Sequence, residues 1–182
     1  MGRRRLGAGH RAARPDRRTA RRLHEAAAGA VVTWTGRIDE LDLTLPPVAT
    51  PAGAYKPAVQ SGSLVFTAGQ VPLVDGQLAA TGKVGAEVSV EQAQLLARTC
   101  TLNALAAVDD LCGLDAIVRA VKVVGFVASA PGFTSQPAVL DGASELLGDI
   151  FGEAGEHARS AVGVAELPRG APVEVELVVE VA

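Results

Sequence analysis

The chain has 182 residues, of which 48% are hydrophobic and only 3% aromatic, so it is long enough for one domain with a core of Val, Leu and Ala. It contains no run of about 18 or more apolar residues, which excludes a membrane-spanning helix. Residues 1–30 hold nine arginines and two acidic residues, whereas the remainder holds 8 basic and 18 acidic residues, a balance that disfavours nucleic acid as its partner.

The first 31 residues differ in composition from everything that follows. They consist mainly of Arg, Ala and Gly, and such a segment buries too little apolar surface to offset the entropy of ordering it. Upstream sequence translated from an early start codon, a solvated tail, a basic arm and a targeting peptide all stay open. We expect a basic, low-complexity extension over residues 1–31 and a folded domain over residues 32–182.

The folded domain opens with a short helix, predicted around Ile38 to Leu41. Three prolines between residues 46 and 51 then impose an extended lead-in. The run LVFTAGQV is rich in β-branched residues and predicts a strand, preceded by PAVQ and a turn over residues 61–63. Asp75-Gly76 predicts a second hairpin turn.

Two longer helices are indicated by their end residues. Ser89 and Gln92 have the spacing of a capping box, apolar residues then recur at helical period, and Gly113 is a natural stop. The second helix is predicted over SQPAVLDGASELLGDIFGEAG, with Pro137 in its first turn and Gly155 just past its end.

Three strands complete the pattern: IVRAVKVVGFVAS between the helices, then ARSAVGVAEL, and last PVEVELVVEVA after an LPRGAP turn. The last strand alternates, with Glu174, Glu176 and Glu180 on one face and apolar residues on the other. The order of elements predicts an α+β fold in which two helices cover one face of a mixed sheet.

Histidine and cysteine offer little chemistry in the folded domain. Cys100 and Cys112 are twelve residues apart in a predicted helix, which disfavours a disulfide and indicates a reducing, cytoplasmic location. His157 is the one histidine left beyond the N-terminal segment, and we expect it on the surface. Metal and histidine-triad chemistry are therefore disfavoured, and no cofactor motif is present.

Four segments together carry a family resemblance: LVFTAGQVP, the helix opening EQA, VKVVGFV and HARSAVGVAELPRGAPVEVE. They resemble the RidA (YjgF) family over roughly residues 43–182. The closing segment is the most specific, since an Arg-Ser pair, here Arg159 and Ser160, precedes a strand, followed by Leu-Pro and a strand that bears Glu174. The form with GAYKPAV is similar to a divergent subgroup of that family.

The resemblance implies a chorismate-mutase-like α+β fold, assembled as a homotrimer with ligand clefts between subunits. It also implies hydrolytic deamination of reactive enamines and imines, such as 2-aminoacrylate, to 2-keto acids and ammonia, with no cofactor and no metal. Other family members are described as ribonucleases or translation inhibitors.

The resemblance assigns roles to individual residues. Arg159 matches the arginine that grips the substrate carboxylate, and Glu174 matches the acid that positions a water molecule. Tyr55 matches a tyrosine of the cleft wall, and Gly69 matches a glycine whose backbone lies beside the substrate. Ser144 aligns loosely with an asparagine of the second helix.

The chain also departs from the family pattern around the pocket. Lys56 and Pro57 replace two small or polar residues, and Ala68 stands where a serine is frequent. Ala161, which the resemblance places among the substrate-binding residues with Arg159, Gly69 and Ser144, stands where a cysteine is frequent. The carboxylate clamp and the acid are kept, whereas the polarity of the pocket differs.

Alternatives to this interpretation stay open. Arg159 could form a permanent salt bridge with Glu174 or Glu176, because a guanidinium beside small apolar residues needs an anionic partner. The trimer could bind a small carboxylate metabolite without turnover. An RNA-directed ribonuclease or translation inhibitor would depend on the basic N-terminal segment.

Overall fold

The structure is a computed structural model that describes residues 33–182. The predictions made for residues 1–31 lie outside the described residues, and the domain boundary there stays a prediction. None of the helices found between residues 33 and 182 combines the length and the apolar character needed to cross a membrane.

Three α-helices and seven β-strands make up the described part of the chain. The helices are α1 (Trp34–Glu40), α2 (Val90–Cys112) and α3 (Gln136–Phe151). The strands are β1 (Ala58–Ser61), β2 (Leu64–Thr67), β3 (Leu73–Val74), β4 (Gln77–Leu78), β5 (Ile117–Ala128), β6 (Ala158–Val164) and β7 (Val173–Val181).

Five of the strands form one mixed sheet in the order β1-β2-β7-β5-β6. Strands β5 and β6 are parallel, because α3 carries the chain back between them, and the other neighbouring pairs are antiparallel. Strands β3 and β4 form a separate hairpin, closed by Asp75 and Gly76 with φ of 50° and 76°, as their sequence predicts. The α+β class with a mixed sheet is confirmed.

The ends of the two long helices follow from local sequence. The Ser89 hydroxyl accepts a hydrogen bond from the backbone N–H of Gln92 at 3.2 Å and so caps α2, which ends at Gly113 with φ of 85°. Helix α3 has proline in its first turn as predicted. It ends at Phe151, earlier than predicted, because Gly152 takes φ of 56° and a 3-10 turn follows over Gly152–Gly155.

Helix α1 begins four residues before the predicted start. Thr33 caps it by accepting a hydrogen bond from the backbone N–H of Gly36 at 3.0 Å. The Trp34 ring then packs edge-on against Phe151, with centroids 5.0 Å apart, while its indole N–H donates to the carbonyl of Ile117 at 2.8 Å. These contacts with distant residues fix the start of α1. The local sequence pattern does not contain them and therefore predicts a start that is too late.

One face of the sheet is buried beneath α2 and α3. Alternate residues of β7, from Val173 to Val179, are at most 1% exposed and pack in the core, which confirms the alternation seen in the sequence. The core is built largely from Val, Leu and Ala, as the low aromatic content requires.

The opposite face of the sheet is uncovered by any described element. It carries Glu174, Glu176 and Glu180 of β7, each of intermediate exposure, beside apolar side chains of other strands. Val59 and Phe66 are register partners on β1 and β2, at 49% and 40% exposure, and Val162 of β6 is 45% exposed. We call this surface the open face.

Candidate functional site

Glu174, Gly69 and Tyr55 line one cavity, as their assigned roles require. The cavity has a volume of about 210 Å³ and lies beside the open face, where the lead-in loop, the segment after β2 and the start of β7 meet. Its remaining walls come from Ala49, Thr50, Pro51, Ala52, Pro57, Gln70, Val71, Leu73, Pro168 and Arg169.

Glu174 is the acid of this cavity. It is the second residue of β7, so the alternation of the strand turns its side chain away from the helices. Partial burial raises the pKa of its carboxyl above the ordinary value of 4.5, and the neighbouring charge of Glu176 raises it further. A raised pKa makes the Glu174 carboxylate a stronger base than an ordinary glutamate, as a group that accepts a proton from water requires.

Gly69 lies directly against the Glu174 side chain. A Cβ atom built on residue 69 would overlap the carboxylate Oε1 of Glu174. The next residue, Gln70, exchanges two backbone hydrogen bonds with Val175 at 2.9 Å each, which fixes this segment alongside β7. Glycine at this position therefore lets the acid keep its place against the backbone, and a larger residue would displace the Glu174 side chain.

Tyr55 forms the outer wall of the cavity. Its side chain is 54% exposed, and its hydroxyl accepts a hydrogen bond from the backbone N–H of Ala52 at 3.3 Å. A further backbone hydrogen bond from Tyr55 to the Gly53 carbonyl, 2.9 Å long, tightens the loop. The ring is thus held in place while most of its area faces solvent or a ligand.

Arg159 lies outside this cavity. One nitrogen, Nη1, donates to Oδ1 of Asp141 and to the hydroxyl of Ser144, both at 2.9 Å on helix α3. The alternative in which Arg159 pairs with an internal carboxylate is therefore met, but the partner is Asp141 and not Glu174 or Glu176. The Arg159 guanidinium makes no other hydrogen bond to residues 33–182. The N–H groups of Nε and Nη2 therefore remain available to donate to a ligand.

Ser144 joins Arg159 to His157. The Ser144 oxygen is 3.1 Å from Nε2 of His157, whose Nδ1 is 2.6 Å from the Gly155 carbonyl. Because a carbonyl only accepts, Nδ1 carries the proton, and in the neutral ring Nε2 accepts from the serine hydroxyl. The expectation that His157 lies on the surface is wrong, since it is partly buried in this network.

Arg159 and Glu174 lie on opposite faces of the sheet. In the register, Arg159 is level with Val123 and Leu177, which face the helices, whereas Glu174 is level with Phe126 on the open face. Within one chain the clamp and the acid are therefore separated by the sheet itself.

Ala161 follows Arg159 by two residues, so both side chains point toward the helix layer. It is partly buried and packs against the hydrophobic core. A methyl group at this position adds no polar atom beside the Arg159 guanidinium.

Two residues near these groups were missed from the sequence. Asp141 precedes Ser144 by one helical turn, and this i, i+3 spacing was the available indication that both share a face of α3. Arg169 is an exposed residue of the turn before β7 and is also among the residues that line the cavity of Glu174, which its local sequence does not indicate. Between residues 33 and 182, no three His, Cys, Asp or Glu residues cluster as metal ligands would.

A family model described as "YjgF/chorismate_mutase-like, putative endoribonuclease" matches residues 35–181. The match covers nearly the whole described domain, including every candidate residue above. The chain belongs to the YjgF (RidA) family.

Relatives within the YjgF family have differing descriptions. The chain is 43% identical over 155 residues to Protein TCP17 of Trypanosoma cruzi, covering 82% of this chain and 97% of that protein. It is 30% identical over 138 residues to a 2-iminobutanoate/2-iminopropanoate deaminase of Dermatophagoides farinae, covering 75% and 93%. Among solved structures, the protein Atu1372 of unknown function from Agrobacterium tumefaciens is 44% identical, with a TM-score of 0.75 and coverage of 82% and 94%.

Proposed function

We propose that the protein hydrolyses reactive 2-imino acids and their enamine tautomers to 2-keto acids and ammonia, in a homotrimer. The observation that carries this proposal is the placement of Arg159 and Glu174 on opposite faces of one sheet. A second copy of the chain, set against the open face, brings the clamp of one subunit to the acid of the next. Each cleft then contains Arg159 and Ser144 from one copy and Glu174, Gly69 and Tyr55 from its neighbour.

Arg159 holds the substrate carboxylate in this scheme. Asp141 and Ser144 both bind Nη1, which fixes the side chain and leaves the Nε–Nη2 edge for the ligand. That edge is a planar fork that matches a carboxylate with two parallel hydrogen bonds. The internal salt bridge and the substrate clamp are thus compatible roles of the same residue.

Glu174 activates the water molecule. The Glu174 carboxylate accepts a proton from water as the water oxygen bonds to the imine carbon, and the electron pair of the C=N π bond moves to nitrogen, which takes that proton from Glu174. In the resulting carbinolamine, Glu174 takes the hydroxyl proton and passes it to nitrogen, so that C=O forms as the C–N bond breaks and ammonia leaves. The raised pKa of Glu174 suits both directions of transfer, and holding water and imine together supplies much of the acceleration.

The open face supports the homotrimer. It exposes Val59, Phe66 and Val162 on three different strands, and β1 and β6 are edge strands of the sheet. Exposed apolar side chains of this size are typical of protein–protein interfaces, and closed assemblies of identical subunits are the common solution.

The named activity of the mite relative supports the reaction class. We place the activity in the cytoplasm, where the free thiols of Cys100 and Cys112 are stable.

Ala68 and Ala161, which lack the polar groups frequent at these positions, favour the second candidate: a trimer that binds a small carboxylate without turnover. RNA is disfavoured, because residues 33–182 contain 8 basic against 18 acidic residues.

The direct test generates 2-imino acids with an amino-acid oxidase and measures their loss against a chemical trap. We expect acceleration by the wild-type protein and none by Arg159→Ala. Equal rates with and without wild-type protein, across several side chains, would reject the deaminase and leave the carboxylate-binding trimer.

A subunit-mixing experiment tests the composite site. We expect Arg159→Ala and Glu174→Gln each to be inactive alone. After dissociation and reassembly as 1:1 mixtures, about one quarter of the clefts combine an intact arginine with an intact glutamate. We expect about that share of wild-type activity. Persistent inactivity, with exchange verified by mass spectrometry of tagged subunits, would place both groups in one chain and contradict the arrangement.

A further inference from the structure

Arg169 is an unassigned cation in the wall of the Glu174 cavity. Of the thirteen residues that line this cavity, Arg169 and Glu174 are the two that carry charge. No hydrogen bond or salt bridge joins them, and Arg169 is exposed to solvent. The cavity therefore pairs an acid suited to proton transfer with a cation that has no role in the proposed hydrolysis.

The other arginines between residues 33 and 182 all bind protein groups. Arg37, Arg98 and Arg159 form salt bridges with Glu40, Asp149 and Asp141, and Arg119 donates to two backbone carbonyls. Arg169 makes no such contact within residues 33–182. The nearby Glu166 is bound instead to Lys83, with Nζ and Oε1 2.8 Å apart.

The backbone that carries Arg169 is held in an unusual conformation. Three non-glycine residues between positions 33 and 182 have positive φ, and the other two are aspartates, which tolerate it. Arg169, with φ of 60° and ψ of 12°, has no such tolerance. A left-handed conformation at a residue of this type is characteristic of functional loops.

Hydrogen bonds on both sides fix this conformation. The backbone N–H of Gly170 donates to Leu167 at 3.1 Å, and Gly82 donates to the Gly170 carbonyl at 3.0 Å. The Lys83–Glu166 salt bridge ties the same two segments together. The guanidinium is therefore presented from a fixed turn, which lowers the entropy cost of binding a ligand.

We propose that Arg169 binds a second carboxylate of the substrate, so that the enzyme prefers 2-imino dicarboxylic acids over 2-imino monocarboxylic acids. This inference rests on the proposed function, in which Arg159 of the neighbouring copy holds the first carboxylate. A dianion then spans two cations, with its imine carbon beside Glu174. The chemistry remains hydrolysis of C=N by one water molecule, and the second carboxylate takes no part in it.

The first test measures binding by calorimetry with the stable product-type probes 2-oxoglutarate and 2-oxopentanoate, which have equal chain length and differ by one carboxylate. Arg169→Asn removes the charge, and asparagine tolerates the positive φ. Arg98→Gln is the control, because it removes a partly exposed arginine of α2 that does not line the cavity. We expect the ratio of the two affinities to fall at least tenfold in Arg169→Asn and to stay at the wild-type value in Arg98→Gln.

The second test measures turnover of 2-iminoglutarate and 2-iminopentanoate, with the same variants. We expect the ratio of kcat/KM values to fall at least tenfold in Arg169→Asn and to be largely restored in Arg169→Lys. A ratio within twofold of wild type in Arg169→Asn would overturn the role of Arg169 while leaving the deaminase intact. Absence of turnover for both imines would reject the deaminase activity alone. In that case the ratio of the two calorimetric affinities decides whether Arg169 binds a second carboxylate. Failure of both probes to bind would overturn the inference.

Discussion

The carboxylate of Glu174 occupies the space that a side chain on residue 69 would need. Gly69 therefore acts on the acid by being small: it lets Glu174 lie against the backbone at the wall of the cavity. Gly69 lies just after β2, and Glu174 is the second residue of β7. They meet because the backbone of Gln70 is hydrogen-bonded to that of Val175.

Gly69→Ala displaces the Glu174 side chain while leaving the fold in place. The overlapping atoms belong to the end of a flexible side chain, so rotation relieves the clash. We expect kcat/KM for 2-imino acids to fall by at least about tenfold, equivalent to roughly 1.4 kcal/mol, with an unchanged circular dichroism spectrum. Gly62→Asn is the control, because Gly62 lies in a turn with open space around it and asparagine tolerates its φ of 62°; equal losses in both variants would contradict a specific effect.

Glu176→Gln shifts the pH profile of activity to lower pH. Desolvation is the main cause of the raised pKa of Glu174, and the charge of Glu176 is the second. A reaction that needs the Glu174 carboxylate gains rate as pH rises through that pKa, and removal of Glu176 lowers the pKa. The measurement is kcat/KM against pH; an acidic limb that does not move would show that another group controls it.

Glu174 also makes stability depend on pH. Because its pKa in the folded protein exceeds 4.5, the folded state retains the proton to higher pH than the unfolded state. The stability that this pKa difference of Glu174 contributes is fully present below pH 4.5. It is lost as pH rises through the pKa that Glu174 has in the folded protein. We expect urea unfolding to show a smaller loss of stability between pH 4 and pH 7 in Glu174→Gln than in wild type; equal losses would assign this pH dependence elsewhere.

Asp141→Asn strengthens carboxylate binding at Arg159. Asparagine keeps an acceptor for Nη1 but removes the negative charge that competes with the ligand, a change worth about 1 kcal/mol at a partly exposed site. We expect roughly fivefold tighter binding of 2-oxopentanoate by calorimetry. Glu145→Gln, on the same helix, is the control for overall charge, and weaker binding in Asp141→Asn would show that the aspartate mainly positions the arginine.

Val162→Lys disrupts assembly through the open face. A charge at this 45% exposed position would be buried without a partner in the proposed trimer. We expect a monomer in analytical ultracentrifugation and loss of deaminase activity. Leu95→Lys, which replaces a 67% exposed residue of α2 on the helical side, should sediment as the wild type does; an intact trimer of Val162→Lys would move the interface elsewhere.

The sequence by itself determined the local elements of this protein. The capping serine of α2, the Asp75-Gly76 turn and the alternation of β7 depend on residues a few positions apart, so backbone geometry alone fixes them. The closing motif around Arg159 and Glu174 likewise pointed to the family that the chain proved to belong to.

Only the tertiary structure decided which side chains meet. Arg159 contacts Asp141 rather than a glutamate of β7, because its position in β6, level with Val123 of β5, turns the side chain toward α3. Glu174 faces the other way and shares its cavity with Arg169. These relations depend on strand order and register, which bring together residues far apart in the chain, and no local pattern in the sequence specifies them.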